Sequence, residues 1–416
     1  MLQIDHVYEF FYNVVFNKNI ETYSLFEGVP RLGKITVNDL NVFSNTNWGY
    51  EKAFFYDQEP ILPNFIDSYI NAFHWRNQYS LEELKKLGNI NDDVHHKNLS
   101  DPDRVYRTKS ILVTSEKSKY LNEVLEKHKL HNLYYFFHGF AALDWYRGYY
   151  ALNYNKHIVG HKKDFITYNR LITEDRSYRI YFISQLAKYD LLDKGLISFG
   201  VSDDRQHWRD ELERNNHSKL SNNARQEIWD ILPDLPERLI IDNEECQGNA
   251  SSRVPQIIQN INNVKNVNYD AFWHVVTETV FYYDKLHLTE KIFKPIVSKQ
   301  PFMLLAAPGN LEYLRSYGFK TFDGIIDESY DHIQDNDQRI DSVVKQIKWY
   351  CDLSDQDKFE IQRLVAPTVE HNFHHFYGEF KNIIVDELLT NCKNLFEEID
   401  YKETVDYKTI RKLLLN

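Results

Sequence analysis

What most constrains this chain is the alternation of short, almost wholly apolar runs with stretches of helical spacing. Lys-Ala-Phe-Phe-Tyr-Asp at 52–57, Ser-Ile-Leu-Val-Thr-Ser at 110–115 and Asn-Leu-Tyr-Tyr-Phe-Phe-His-Gly at 132–139 each read as a strand ending in polar residues. Between the last two, Tyr120, Leu121, Val124 and Leu125 fall at helical spacing within Lys117–Lys129. A strand buried on both faces has no polar side to show, so its sequence is a continuous apolar run. A helix between two such runs makes the strands parallel, because a crossover is needed to return the chain to the same edge.

The pattern resumes after the polar, glycine-containing segment 155–163. Strands are expected at 164–169, 196–199, 272–278 and 301–306, and helices at 177–189, 289–298 and 310–317. Gly318 stands where a left-handed residue closes the last of these. Residues 243–269, rich in Asn, Gln and Ser, read as a long loop with a short helix, and from about Arg339 the chain is helical nearly to its end. There are no internal repeats. The expected fold class is therefore α/β, with two Rossmann-like domains facing a cleft, at 1–160 and 161–385. A helical tail at 386–416 is expected to pack back on the first domain. In such sheets ligands gather at the carboxyl ends of the strands, where the strand order reverses.

Composition narrows the partners. The net charge is −12 over 416 residues, which argues against a protein that coats nucleic acid nonspecifically. Residues 1–160 carry only −2 of it, so a polyanion meets less repulsion in the first half. There, Arg104, Arg107, Lys109, Lys117, Lys119 and Lys127 form a basic stretch that suits phosphates, although a solvated helix face has the same letters. The aromatic content, 29 Tyr and 26 Phe, fits large cores or a lined cleft. The three cysteines, Cys246, Cys351 and Cys392, are widely spaced and show neither a disulfide framework nor metal spacing. With no basic leader followed by an apolar run, and no apolar stretch long enough to span a bilayer, the expected location is cytoplasmic and no membrane span is expected.

Several chemistries lack their motifs. There is no Gly-x-Gly-x-x-Gly after a strand, no Walker loop, no His-Glu-x-x-His and no Cys-x-x-Cys. The Asp-x-Asp pairs Asp101/Asp103 and Asp335/Asp337 lie among turn formers and read as solvated turns rather than metal ligands, so no metal site is expected. The informative stretch is 276–322. Glu278 ends a buried strand, Thr289 is a good N-cap, and Glu290 in the first turn suits the helix dipole. The start of that helix can take a diphosphate, with Lys291 or Lys294 neutralising its charge and a carboxylate accepting ribose hydroxyls. An ordinary capped helix with a solvated Glu–Lys pair fits the same spacing.

Thr289-Glu290-Lys291, the helix after it, the strand at Pro301-Phe302 and Gly318-Phe319-Lys320-Thr321-Phe322 together resemble the donor-binding half of fucosyltransferase-like glycosyltransferases of GT-B type. The likeness extends to bacteriophage-encoded members through Ile326–Asp331, Phe55-Tyr56-Asp57-Gln58-Glu59-Pro60, His138-Gly139-Phe140 and Asp144-Trp145. The resemblance implies a nucleotide-diphosphate sugar as donor, no required cofactor or catalytic metal, and transfer to an acceptor hydroxyl with inversion. It implies donor contacts from Arg170, Arg179, Glu278, Thr289, Glu290, Lys291 and Lys294, with an arginine after the first strand of the second half stabilising the departing diphosphate. It places the general base in the first half, at Asp57 or Glu59, or at Asp144 beside His138. The acceptor is either a hydroxymethylated pyrimidine of phage DNA or a glycan, and a phage member would act in the host cytoplasm. A nucleotide-sugar epimerase, or a non-catalytic structural module on the same fold, are the alternatives.

Overall fold

The computed structural model describes residues 7, 10–11, 21–24, 52–56, 110–128, 130–147, 161–169, 171–199, 208–213, 219–231, 270–399 and 405–415. The chain divides into two compact units, Met1–Asp144 with Lys381–Asn416, and Trp145–Phe380. Both are mixed α/β with parallel sheets.

In the first unit, β1 (Glu21–Ser24), β2 (Lys52–Tyr56), β3 (Ser110–Thr114) and β4 (Leu130–Tyr134) lie side by side in that order, all parallel. Ile111, Leu112 and Val113 of β3 are all fully buried, which is why its sequence is apolar without alternation. Helix α1 (Lys119–His128) starts where the Ser118 hydroxyl accepts from the Leu121 amide, and it buries Leu121 and Val124.

The strand expected at 132–139 stops at Tyr134, and Phe137–Trp145 is helix α2. Phe137, Phe140, Ala141, Ala142 and Trp145 of α2 are all buried. A helix apolar on every side has no amphipathic signature, so its first residues read as an extension of the strand.

In the second unit the chain forms β5 (Lys163–Asn169), α3 (Tyr178–Lys188), β6 (Gly195–Phe199), α4 (Trp208–Glu213) and α5 (Asn222–Ile231). It continues through β7 (Ala271–Thr277), α6 (Glu290–Val297), β8 (Phe302–Leu305), α7 (Asn310–Ser316), α8 (Asn336–Cys351) and α9 (Asp355–Tyr377). The sheet order is β8-β7-β5-β6, all parallel. The chain thus runs outward from β5 to β6, then returns across β5 to β7 and on to β8. That reversal is a topological switch point between β5 and β7, whose carboxyl ends are Asn169 and Thr277. Gly195 pairs with Phe165 across β5 and β6, and a Cβ there would lie 2.4 Å from the Phe165 ring, so only glycine lets the strands meet.

Two helices return to the first unit: α10 (Phe380–Glu398) and α11 (Tyr407–Leu415). The helix break falls at Gly378, so residue 386 lies inside α10 rather than at the start of a tail. Within the first unit, Asn391 of α10 donates to the Tyr134 carbonyl at 2.9 Å, and Glu387 pairs with Lys117 at 3.1 Å. Cys392 on α10 and Cys351 on α8 are both buried and free. Among the described residues no helix is long and apolar enough to cross a membrane.

Candidate functional site

Glu278, Thr289, Glu290 and Lys291 lie together at the switch point of the second unit. Seven buried residues make up β7, and the next residue, Glu278, is fully buried and bonded through its amide to the Leu305 carbonyl of β8. From here to Thr289 the chain is loop apart from a two-residue strand, Lys285–Leu286, and it is held at several points. The Tyr178 hydroxyl donates to the Glu278 carbonyl at 2.5 Å, and the Tyr178 ring stacks on Phe281 with centroids 4.1 Å apart. The Arg339 guanidinium lies 4.2 Å from the Phe281 ring and donates to its carbonyl at 2.9 Å. Asn310 accepts from the His287 amide and donates to the carbonyls of Lys285 and Ala307. The loop's backbone groups and rings are thus fixed by the chain's own contacts.

At the end of this loop Thr289 caps α6, its hydroxyl oxygen accepting from the Lys291 amide. Glu278 reaches the same point: its Oε1 accepts from the Thr289 amide at 3.1 Å, and its Oε2 from the Thr289 hydroxyl at 2.6 Å and the Thr279 amide at 3.2 Å. The Lys291 ammonium, on a half-buried side chain, donates to Thr289 Oγ1 at 3.1 Å, Thr279 Oγ1 at 3.2 Å and Glu290 Oε1 at 3.4 Å. Burial pushes the Glu278 carboxyl above its ordinary range, against the lowering effect of the Lys291 charge and the Thr289 hydrogen bonds. The result is a cation at a helix start, backed by a buried carboxylate.

The neighbouring helix start is closed to ligands. The Asp331 carboxylate accepts from the α7 amides of Leu311, at 3.1 and 3.2 Å, and Glu312, at 3.4 Å. A side chain from another segment thus does there what an anion would otherwise do.

Two of the expected donor contacts are directed elsewhere. Arg179 is buried, and its guanidinium donates to the carbonyls of Leu171 (2.8 Å), Thr277 (2.8 Å) and Glu278 (3.3 Å). It staples the loop after β5 to the end of β7, with its two terminal nitrogens turned to main chain and its Nε to the Tyr178 hydroxyl. Lys294 lies on the buried side of α6, its ammonium 4.1 Å from the Tyr168 ring, one turn past the helix start. Glu278 is enclosed by Thr279 and Thr289. Thr289, Glu290 and Lys291 stand at the start of α6.

Arg170, Asp57 and Glu59 lie outside the described residues. His138 and Asp144 both sit on α2, each 5% exposed. They stand on a buried helix rather than after a strand, and six positions on a helix of roughly 3.6 residues per turn point them to different sides. Asp335, from one Asp-x-Asp pair, caps α8 by accepting from the Gln338 amide. Among the described residues no group of three or more His, Cys, Asp or Glu stands close enough to hold a metal ion.

Sequence reading missed Thr279, Asn310 and Asp331. Thr279 follows Glu278 directly, but nothing in its spacing shows that its hydroxyl meets Lys291. Asp331 sits in a stretch that was noticed only for likeness, and its partner amides are some twenty residues earlier.

In comparisons with protein families, curated proteins and solved structures, nothing matches the chain.

Proposed function

We propose that the chain is a glycosyltransferase that moves a sugar from a nucleoside-diphosphate donor to an acceptor hydroxyl, with the donor held by the second unit. The observation that carries this reading is the start of α6: a capped helix terminus at a topological switch point, with the Lys291 ammonium beside it and Glu290 in its first turn. Helix starts and cations favour phosphate, and switch-point crevices are where nucleotides bind in open α/β sheets. The occupied start of α7 supports α6 as the phosphate end. The Thr-Glu-Lys resemblance points the same way.

In this reading Lys291 neutralises the diphosphate and Glu290, released from Lys291, accepts the ribose hydroxyls. Arg170 stabilises the charge that grows on the leaving group. The acceptor oxygen attacks the anomeric carbon, the bond from that carbon to the phosphate oxygen breaks, and the acceptor's proton passes to a base in the first unit, Asp57 or Glu59 before Asp144. The two units are then the halves of a GT-B enzyme, and the reaction is a single displacement without a catalytic metal. The acceptor is a hydroxymethylated pyrimidine in DNA, flipped from its stack, or a glycan.

A thermal-shift panel of nucleoside diphosphates and their sugars tests the donor, since a ligand at a hundredfold excess over its dissociation constant stabilises the native state by about 2.7 kcal/mol. With the donor in hand, Lys291→Ala and Glu290→Ala are each expected to weaken it at least tenfold by calorimetry, with the fold intact. Unchanged affinity in both variants would move the donor site elsewhere. Recovery of an isomerised donor, in place of a transferred sugar, would instead make the protein an epimerase.

A further inference from the structure

A hydroxyl group has one proton to give and two lone pairs to offer. At Thr289 the direction of that proton is dictated, because the 2.6 Å neighbour of its Oγ1 is a carboxylate oxygen of Glu278. The Lys291 amide and ammonium both donate to Thr289 Oγ1 and take its two lone pairs, so the hydroxyl proton is left for the Glu278 oxygen. The same Glu278 oxygen also holds the Thr279 amide, and Thr279 supplies the second hydroxyl oxygen that receives the Lys291 ammonium. Both threonines that position the cation are therefore tied to one carboxylate, Thr289 through its hydroxyl and amide and Thr279 through its amide. Glu278 itself is fully buried, with its oxygens turned to Thr279 and Thr289, so it has no route to a ligand except through them.

We propose that Glu278 is a positioning residue that fixes the Thr289 hydroxyl and the Thr279 main chain and so holds the Lys291 ammonium where the diphosphate binds. This rests on the reading of α6 as the phosphate end. On ligand binding the ammonium gives up its longest contact, to Glu290, and keeps the two threonine oxygens. The side chain's isostere, glutamine, has one accepting oxygen where the carboxylate has two, so whichever way it turns its NH2 faces a backbone N–H of Thr289 or Thr279 and the hold on the threonines loosens.

The test is a double-mutant cycle read by calorimetry, with inorganic pyrophosphate as probe, on the full chain. Lys291→Ala is expected to abolish or strongly weaken binding, and Glu278→Gln to weaken it about tenfold, the loss of one hydrogen bond to a charged group. Because Glu278 acts through Lys291, Glu278→Gln/Lys291→Ala should bind no worse than Lys291→Ala alone. Thr289→Val should reproduce the Glu278→Gln loss and Thr289→Ser should restore binding, which keeps the test open if Glu278→Gln fails to fold. Wild-type affinity in Glu278→Gln or Thr289→Val, or losses that add in the double variant, overturns the positioning role while leaving the donor site standing. No pyrophosphate binding to the wild type, or none lost in Lys291→Ala, overturns the donor site and this role with it.

Discussion

Replacing Arg179 by methionine separates two meanings of an arginine near a phosphate site. Methionine keeps the apolar stem and removes the guanidinium, which in the folded chain donates to the carbonyls of Leu171 and Thr277 at 2.8 Å each and Glu278 at 3.3 Å. The Glu278 carbonyl retains the Tyr178 hydroxyl, so two carbonyls lose a charged donor. Each such bond is worth about 1.5–3 kcal/mol, and the part-buried Leu171 carbonyl can recover some of that from water, so the expected loss is about 3–5 kcal/mol. For a unit of this size that lowers Tm by roughly 10 °C or more. Arg179→Lys should do little better, because an ammonium cannot span the Leu171 and Thr277 carbonyls as the planar fork does. Thermal unfolding followed by circular dichroism gives the first number, and pyrophosphate calorimetry well below Tm the second. A variant with unchanged Tm that binds or transfers poorly would refute the staple and return Arg179 to the ligand.

Three further outcomes are expected. His274, buried in β7, is pushed down to about 3 by burial and then by the Lys294 charge, against an unfolded value near 6.5. The unfolded chain therefore binds the extra proton first, so the stability held by neutral His274 is complete above pH 6.5 and is lost as pH falls toward 3. Urea midpoints across that range should slope less in His274→Gln, and an unchanged slope would exclude His274 as the titrating group. Gly318→Ala should lose about 1–3 kcal/mol, since φ is +90° and the new Cβ would stand 2.7 Å from the ring of His375, itself bonded to the Tyr317 carbonyl; a neutral midpoint would refute this. Asp57→Asn or Glu59→Gln should lower single-turnover sugar transfer by about 10²–10⁴ with donor affinity kept, whereas activity lost only in Asp144→Asn would move the base to α2.

The parallel α/β character was legible because buried parallel strands betray themselves as apolar runs, and β3, β5, β7 and β8 lie within a residue or so of where the letters put them. The α6 cap was legible for a local reason: Thr289 and Glu290 act within their own turn. What failed were readings that needed long-range partners. Arg179 is drawn inward by Thr277 and Glu278, almost a hundred residues later, and no local pattern announces it. Lys294 lies about one turn beyond Lys291 on a neighbouring line of α6, and Tyr168, on another element, takes its ammonium. The start of α2 was misread because apolar strand and buried helix share a vocabulary. Gly378, where α9 ends two residues before α10, has no counterpart in the sequence reading, which ran one helical stretch across it.

The two buried thiols have a use beyond packing. Cys392 lies in the first unit and Cys351 in the second, and burial lifts Cys351 to about 12 and Cys392 well above the ordinary thiol range. A thiol reagent reaches either sulfur only when its surroundings open, so in a Cys246→Ser background each labelling rate is a clock for one unit. Adding a donor nucleotide should slow the Cys351 clock alone if the ligand stabilises the second unit locally. Both clocks slowing together would show that the units open as one body.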